Sequence, residues 1–292
     1  MHGLEAIRIK KRLERRVLIN KLAKNLFLMA VLFGLFVLFI LFLRVLTQSW
    51  GWLDLQFLTS KLSTDPEKAG ILGPLLGTAW LLVVIAPLTL VLGVGTAIYL
   101  EEYAPKGRFY AFIQTNISNL AGVPSIVFGL LGLTLFVRGA DLGNVVLAGG
   151  LTLSLLVLPI VVVAGQEAVR AVPASLREAS YAMGATKWQT VKHVVLPCAL
   201  PGILTGSILA LSRAVGETAP LVVLGIPALL IPLPTHILDK FTALPLQIYY
   251  WTLDSALTAQ YANLAAATII ILLLILVAIN LTAILLRNKY QK

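Results

Sequence analysis

Long stretches of this chain carry no charged side chain, and this limits what it can fold into more than any other feature. The run Leu26–Leu43 contains no polar residue other than one glycine. A helix needs about 20 mostly apolar residues to cross a bilayer. In lipid only helices or closed barrels satisfy their own backbone polar groups, and a barrel would show short alternating strands instead of continuous runs. With 59% hydrophobic and 12% charged residues over 292 positions, the chain reads as an all-α membrane protein with no room for a sizeable soluble domain. Six spans are predicted: Leu26–Leu46, Ile71–Leu100, Ile113–Val137, Val145–Gly165, Val194–Leu224 and Leu264–Leu286. The apolar segment Gly225–Pro234 is too short and proline-broken to cross, and reads as an interfacial or re-entrant loop.

Lysine and arginine decide the orientation. Seventeen of the twenty-three fall in the N-terminal tail, the loops after spans two and four, and the C-terminus, against four on the opposite side. Both termini are therefore expected in the cytoplasm, and the net charge of +10 is topology, with no nucleic-acid patch implied. Residues 1–25 form a basic amphipathic tail, with Ile7, Leu13, Val17 and Leu18 among the cations, suited to a membrane surface. Residues 26–292 form one transmembrane domain, its core spans within 71–286. The first span, evenly greasy, suits a lipid-facing helix, and its length argues against a cleaved signal peptide. Gly202-x-x-x-Gly206 and Gly73-x-x-x-Gly77 allow close helix approach, with packing inside the subunit the favoured use. In the long outer loop, Tyr249, Tyr250 and Trp251 are expected at the membrane interface or against an external partner.

Enzyme chemistry finds little support. The single cysteine, Cys198, excludes an internal disulfide framework and reads as a small packing residue. His2, His193 and His236 are scattered over tail, loop and outer loop, so no convergent nucleophile, base or metal set is visible. No Gly-x-x-x-x-Gly-Lys-Ser/Thr occurs, so no nucleotide site, catalytic residue, metal or cofactor is expected in this chain.

One charged pair does lie deep in a span. Arg213 and Glu217, in Ser212-Arg-Ala-Val-Gly216-Glu217-Thr218-Ala-Pro220, are four residues apart and would be neighbours on a helix face. Charges at that depth usually face a bundle interior or a wet cavity. Two readings are open: an ion pair that fixes helix packing, or an anion site built on Arg213.

The loop between spans four and five (170–197) is too patterned for a linker. A helix of about ten residues is predicted after Pro173, capped by Gly184, then a second short helix with Trp188, Val191 and Val194 on one side. Two amphipathic helices on the basic side look like a docking surface for a soluble partner. Glu178-Ala179-Ser180, Gly184 and Val194-Val-Leu196-Pro197 resemble the signature of ABC importer permeases, with Ser180 and Val194 replacing an alanine and an isoleucine. The resemblance implies a type I importer permease fold, in which this loop couples to the ATPase through Glu178, Ala179, Ser180, Gly184, Leu196 and Pro197. ATP and magnesium would then belong to two partner ATP-binding subunits.

The stretch Arg213–Pro220 is similar to a motif of the phosphate ABC transporter permeases, nearest their A-type subunit, and Gly122-Val-Pro124-Ser125-Ile-Val-Phe128-Gly129 resembles another stretch of that family. This implies a permease subunit of the bacterial inner membrane that moves inorganic phosphate. Its expected partners are a second, C-type permease subunit, an external phosphate-binding protein and membrane lipid. A guanidinium fork matches two phosphate oxygens. Arg213 would supply it, with Glu217 holding it in the empty pathway and Ser212, Gly216 and Thr218 completing the wall. A permease for molybdate, sulfate or phosphonate, and a non-transporting structural subunit, remain the alternatives.

Overall fold

The computed structural model describes residues 2–229 and 232–290. Apart from an isolated bridge between Val145 and Lys240, all regular structure among the described residues is helical. Five helices are long and apolar enough to cross a membrane, and a bent pair makes a sixth span. The chain divides into two compact units after Gln48.

The first unit is almost all of helix α1, His2–Ser49. This helix runs unbroken through residue 25, so the compositional boundary between tail and span is not a break in secondary structure. From Leu26 to Leu43 its leucines and phenylalanines are exposed around the whole circumference, as in a helix solvated by lipid. The side chains of Ile7, Arg8, Lys10, Lys11 and Arg12 lie outside the described residues.

The second unit contains α2 (Leu55–Thr59), α3 (Leu72–Tyr103), α4 (Arg108–Leu120), α5 (Ser125–Gly139), α6 (Val146–Arg170), α7 (Ala174–Ala182), α8 (Lys187–Gly216), α9 (Ala219–Val223), α10 (Leu244–Asp254) and α11 (Gln260–Tyr290). Helix α6 is the most buried span and packs against both α3 and α8. Small residues set those approaches. A Cβ on Gly202 or Gly206 would meet Ala168 or Ala164, so this glycine pair does face a helix of its own subunit. Gly77 instead packs on the backbone carbonyl of Thr242, and Gly73 is buried on the same helix.

Two of the predicted spans are interrupted. The third is a pair, α4 and α5, bent by 101° across Ala121–Pro124. Pro124 has no amide to donate and disfavours helix at the residue before it, which stops α4. The fifth ends at Gly216, because Pro220 cannot donate to the carbonyl of Gly216 and its ring would clash there. Pro220 fits the start of a new helix, and α9 begins beside it. The two interruptions meet: a Cβ on Gly129 would lie 2.9 Å from both Pro220 Cα and Val223 Cβ. Both proline-bearing motifs noted in the sequence therefore pack on each other.

The segment from Gly225 to Tyr261 folds into the core. Phe241, Ala243, Leu244 and Leu246 are fully buried. Phe241 enters a notch at Gly149, where a Cβ would come within 2.6 Å of the ring. The amides of Val146 and Leu147 donate to the carbonyls of Asp239 (3.0 Å) and Ile237 (2.8 Å), which caps the N-terminus of α6. The amide of Leu244 donates to the Thr78 hydroxyl at 3.0 Å. Trp251 packs against Phe57 with centroids 6.4 Å apart, buried to 3% exposure. It is therefore a core residue, not the interfacial anchor expected. Tyr250 donates to the Ile226 carbonyl (2.9 Å), and Tyr249 is exposed. Of the short apolar segment expected to be re-entrant, Leu230 and Ile231 lie outside the described residues. Its flanks are non-helical and tied down: Trp80 donates to the Pro234 carbonyl (3.2 Å) and Asn144 to that of Gly225 (2.8 Å).

Two outcomes follow. Gly149→Val should force Phe241 from its notch and destabilise the subunit by about 1–3 kcal/mol, whereas Gly216→Ala, with nothing within 4 Å of the added Cβ, should be near neutral; thermal unfolding in detergent checks both. Hydrogen bonds from the amides of Thr235 and His236 and from the Thr235 hydroxyl hold the Asp239 carboxyl below its ordinary 3.8. A depressed carboxylate stabilises above its unfolded value and loses that contribution as pH falls through the folded one. Protection of the Val146 and Leu147 amides against exchange, relative to the unstructured rate at the same pH, should therefore fall below about pH 4, and Asp239→Asn should show the lower protection already at neutral pH.

Candidate functional site

Arg213 occupies the last turn of α8, where a cation complements the helix dipole. Its Nε donates to Glu217 Oε1 at 3.2 Å. The helix has ended there: Glu217 is extended, at φ −77° and ψ 124°. The pair is thus formed across a helix terminus and not along an unbroken face. The Arg213 side chain is 53% exposed and that of Glu217 17%. Leu209 and Gly216 are exposed as well, so residues 209, 213 and 216 form one exposed stripe along the end of α8. Thr218 is half-buried at the start of α9. Ser212 lies off the stripe, its hydroxyl donating to Asn280 Oδ1 of α11 at 3.2 Å. The structure brings Arg213, Gly216 and Glu217 together and turns Ser212 toward a helix contact.

The second candidate surface is the connection between α6 and α8. Gly184 has φ +81°, and its amide and that of Ala185 donate to the carbonyls of Tyr181 (2.9 Å) and Ser180 (3.2 Å), closing α7 as expected. Thr186 then caps α8 through a reciprocal box with Gln189. The predicted second short helix is not separate, because residues 187–190 run directly into the long span. A π-helical turn at Val191–Val195 leads into Pro197, which cannot donate to the carbonyl of His193. Val191 is consequently buried while Trp188 is exposed, so they do not share a face. Glu178, Ala179, Gly184, Pro197 and the free Cys198 are exposed, and Leu196 is half-buried. Ser180 is tied to Thr190 by hydroxyls 2.9 Å apart. Leu176, Tyr181, Met183 and Trp188 leave large apolar side chains uncovered.

Beneath this connection lies a polar cluster that the sequence reading missed. Glu101 accepts from Arg170 (2.6 Å), Gln166 (2.8 Å) and Tyr110 (3.3 Å), and Gln114 and Gln166 exchange amide hydrogen bonds. Glu102 accepts from Arg177 through two nitrogens, at 3.1 and 3.0 Å. The available signal was charge: two glutamates end one span on the side where Arg170 and Arg177 lie.

Residues 89–289 match the model of a family described as "Binding-protein-dependent transport system inner membrane component". The chain belongs to this family. The permease is 37% identical over 212 residues to "Probable ABC transporter permease protein YqgI" of Bacillus subtilis, covering 70% of each chain. It is 31% identical over 276 residues to "Phosphate transport system permease protein PstA" of Xylella fastidiosa, covering 94% of this chain and 96% of that one. A Mycobacterium tuberculosis protein named "Phosphate transport system permease protein PstA 1" is 45% identical over 161 residues, about half of each chain. Among solved structures, a bacterial ABC transporter that imports alginate aligns with TM-score 0.64 over 96% of this chain at 16% identity, and the MetNI methionine transporter with 0.59 over 74% at 18%. The permease thus has the type I ABC importer fold and is a multi-pass membrane subunit of a transport system, not a catalytic one.

Gly184→Ala should cost about 1–2 kcal/mol, because a left-handed residue with a Cβ is strained. Gly184→Asn should cost less. Thermal unfolding of the purified permease, with limited proteolysis at the connection, checks the order.

Proposed function

We propose that this permease is the A-type membrane subunit of an ATP-driven importer of inorganic phosphate, and that Arg213 lines the route of the ion. The observation that carries this is the uncovered guanidinium at the end of a membrane span. The predicted span runs on past Arg213 to Leu224; a guanidinium facing hydrocarbon near the bilayer centre costs roughly 2.5–3.5 kcal/mol or more, and one hydrogen bond to Glu217 does not offset that. The stripe therefore belongs against a second permease subunit, with a wet pathway between. Among the described residues the one ion pair of Arg213 is local, to Glu217, and about half of its side chain stays exposed, which supports a role beyond fixing helix packing. Relatives named for phosphate transport supply the substrate, and a planar fork suits an anion that offers only oxygens. Glu217 keeps the fork extended while the route is empty and repels a dianion, so the ion is held briefly. Gly216 leaves space for the neighbouring subunit.

At the other end of α8, Glu178, Ala179, Gly184 and the exposed Leu176, Tyr181, Met183 and Trp188 form the surface for the ATP-binding subunits. ATP and magnesium reside there, not in this chain. An external phosphate-binding protein docks on the opposite side, and both termini are cytoplasmic.

Arg213→Lys in the complete complex should lower uptake of labelled phosphate by about 10-fold or more, since a charge-assisted hydrogen bond contributes roughly 1.5–3 kcal/mol. Unchanged uptake in a normally assembled complex removes Arg213 from the route. Loss of assembly together with uptake points to packing. Competition by molybdate, sulfate or phosphonate stronger than by phosphate reassigns the cargo.

A further inference from the structure

Helix α7 buries none of its residues. Its apolar side chains Leu176 and Tyr181 stay 41% and 43% exposed, so apolar packing alone joins it only weakly to the spans. Two polar ties do that work, the Ser180–Thr190 hydroxyl contact to α8 and the guanidinium of Arg177. Arg177 is the more extensive. Nε and Nη2 both reach Glu102 Oε1, Nη1 donates to the Val172 carbonyl (2.6 Å), and Nη2 also donates to the Val169 carbonyl (2.8 Å). One side chain thereby holds the end of α3 and the end of α6 at once, meeting the Val169 carbonyl in the last turn of α6 and the Val172 carbonyl just after it. The pair is mostly shielded, with Glu102 8% and Arg177 21% exposed.

The connection extends further. Glu102 lies in the π-helical last turn of α3, next to Glu101. Glu101 is bound to Arg170 and Gln166 of α6 and to Tyr110 of α4, and Gln166 to Gln114 of α4. A pull on Glu102 thus reaches three membrane elements through directional bonds. A planar guanidinium, whose donors are fixed relative to one another, transmits such a pull where a lysine would swivel.

We propose that Arg177 and Glu102 are positioning residues for transport: a tie that converts movement of α7 into movement of α3 and α6. The inference rests on reading α7 as the surface that meets the ATP-binding subunits. The test is the complete complex in proteoliposomes with its phosphate-binding protein, measuring labelled phosphate taken up per ATP hydrolysed. That ratio responds to coupling, whereas a purely structural defect lowers assembly and both rates together. Glu102→Gln should assemble and hydrolyse ATP within about 2-fold of the parent while phosphate per ATP falls by about 10-fold. Arg177→Lys, which keeps the charge but cannot span Glu102 and both carbonyls, should fall by about 3-fold, and Glu102→Asp should be closer to the parent. A normal ratio in Glu102→Gln overturns the proposal. If that variant fails to assemble, a normal ratio in Arg177→Lys overturns it, and a reduced one supports it. A parent complex that hydrolyses ATP but moves no phosphate overturns the underlying reading and the tie with it. Normal parent transport with normal variants overturns the tie alone.

Discussion

Helix α6 has both of its ends answered by other parts of the chain. Its first amides donate to the carbonyls of Ile237 and Asp239, and the Arg177 guanidinium donates to Val169 in its last turn and to Val172 just beyond it. In a bilayer such groups cannot turn to water, so a helix end must find a partner within the protein or extend past the hydrocarbon. Other features of the architecture follow from the same demand. The segment after α9 folds inward because α6 needs its carbonyls. The connection at 171–186 is held close because α6 needs Arg177. Even the notch at Gly149 serves this arrangement, since Phe241 anchors the segment that caps the helix.

Helix α8 joins the two functional ends. It begins with the Thr186 capping box beside α7 and ends at Gly216, one turn after Arg213. Over 30 residues, at about 1.5 Å each, it spans on the order of 45 Å. The π-helical turn at Val191–Val195 and the prolines at 197 and 201 interrupt its hydrogen-bond ladder in the first half of the helix. The half that carries the Gly202 and Gly206 contacts to α6 is regular, so Arg213 is presented by a well-packed rod.

Most of this was legible where the signal is local and strong. Unbroken apolar runs marked the spans, and Gly184 after a short amphipathic stretch marked the end of α7. What escaped was set by groups far apart in sequence. Pro124 and Pro220 were visible as residues, but only packing shows that they break two spans at one place, with Gly129 against Pro220. Trp251 carries the composition of an interfacial anchor, and its burial against Phe57 depends on a pairing across nearly two hundred residues. Glu101 and Glu102 carry little topological signal, because orientation follows lysine and arginine and acidic residues contribute little to it. Of the expected site, Arg213, Gly216 and Glu217 share a surface, whereas Ser212 is committed to Asn280.

The inward-folded segment has a consequence for how the subunit is made. The carbonyls that cap α6 are encoded about ninety residues after the amides they receive. During synthesis α6 therefore enters the membrane with its N-terminal amides unpaired, and Phe241 reaches the notch at Gly149 only after α8 and α9 have emerged. The last quarter of the chain thus acts as a latch, and a ribosome stalled before residue 241 leaves a subunit without the carbonyls and the Phe241 ring that close α6.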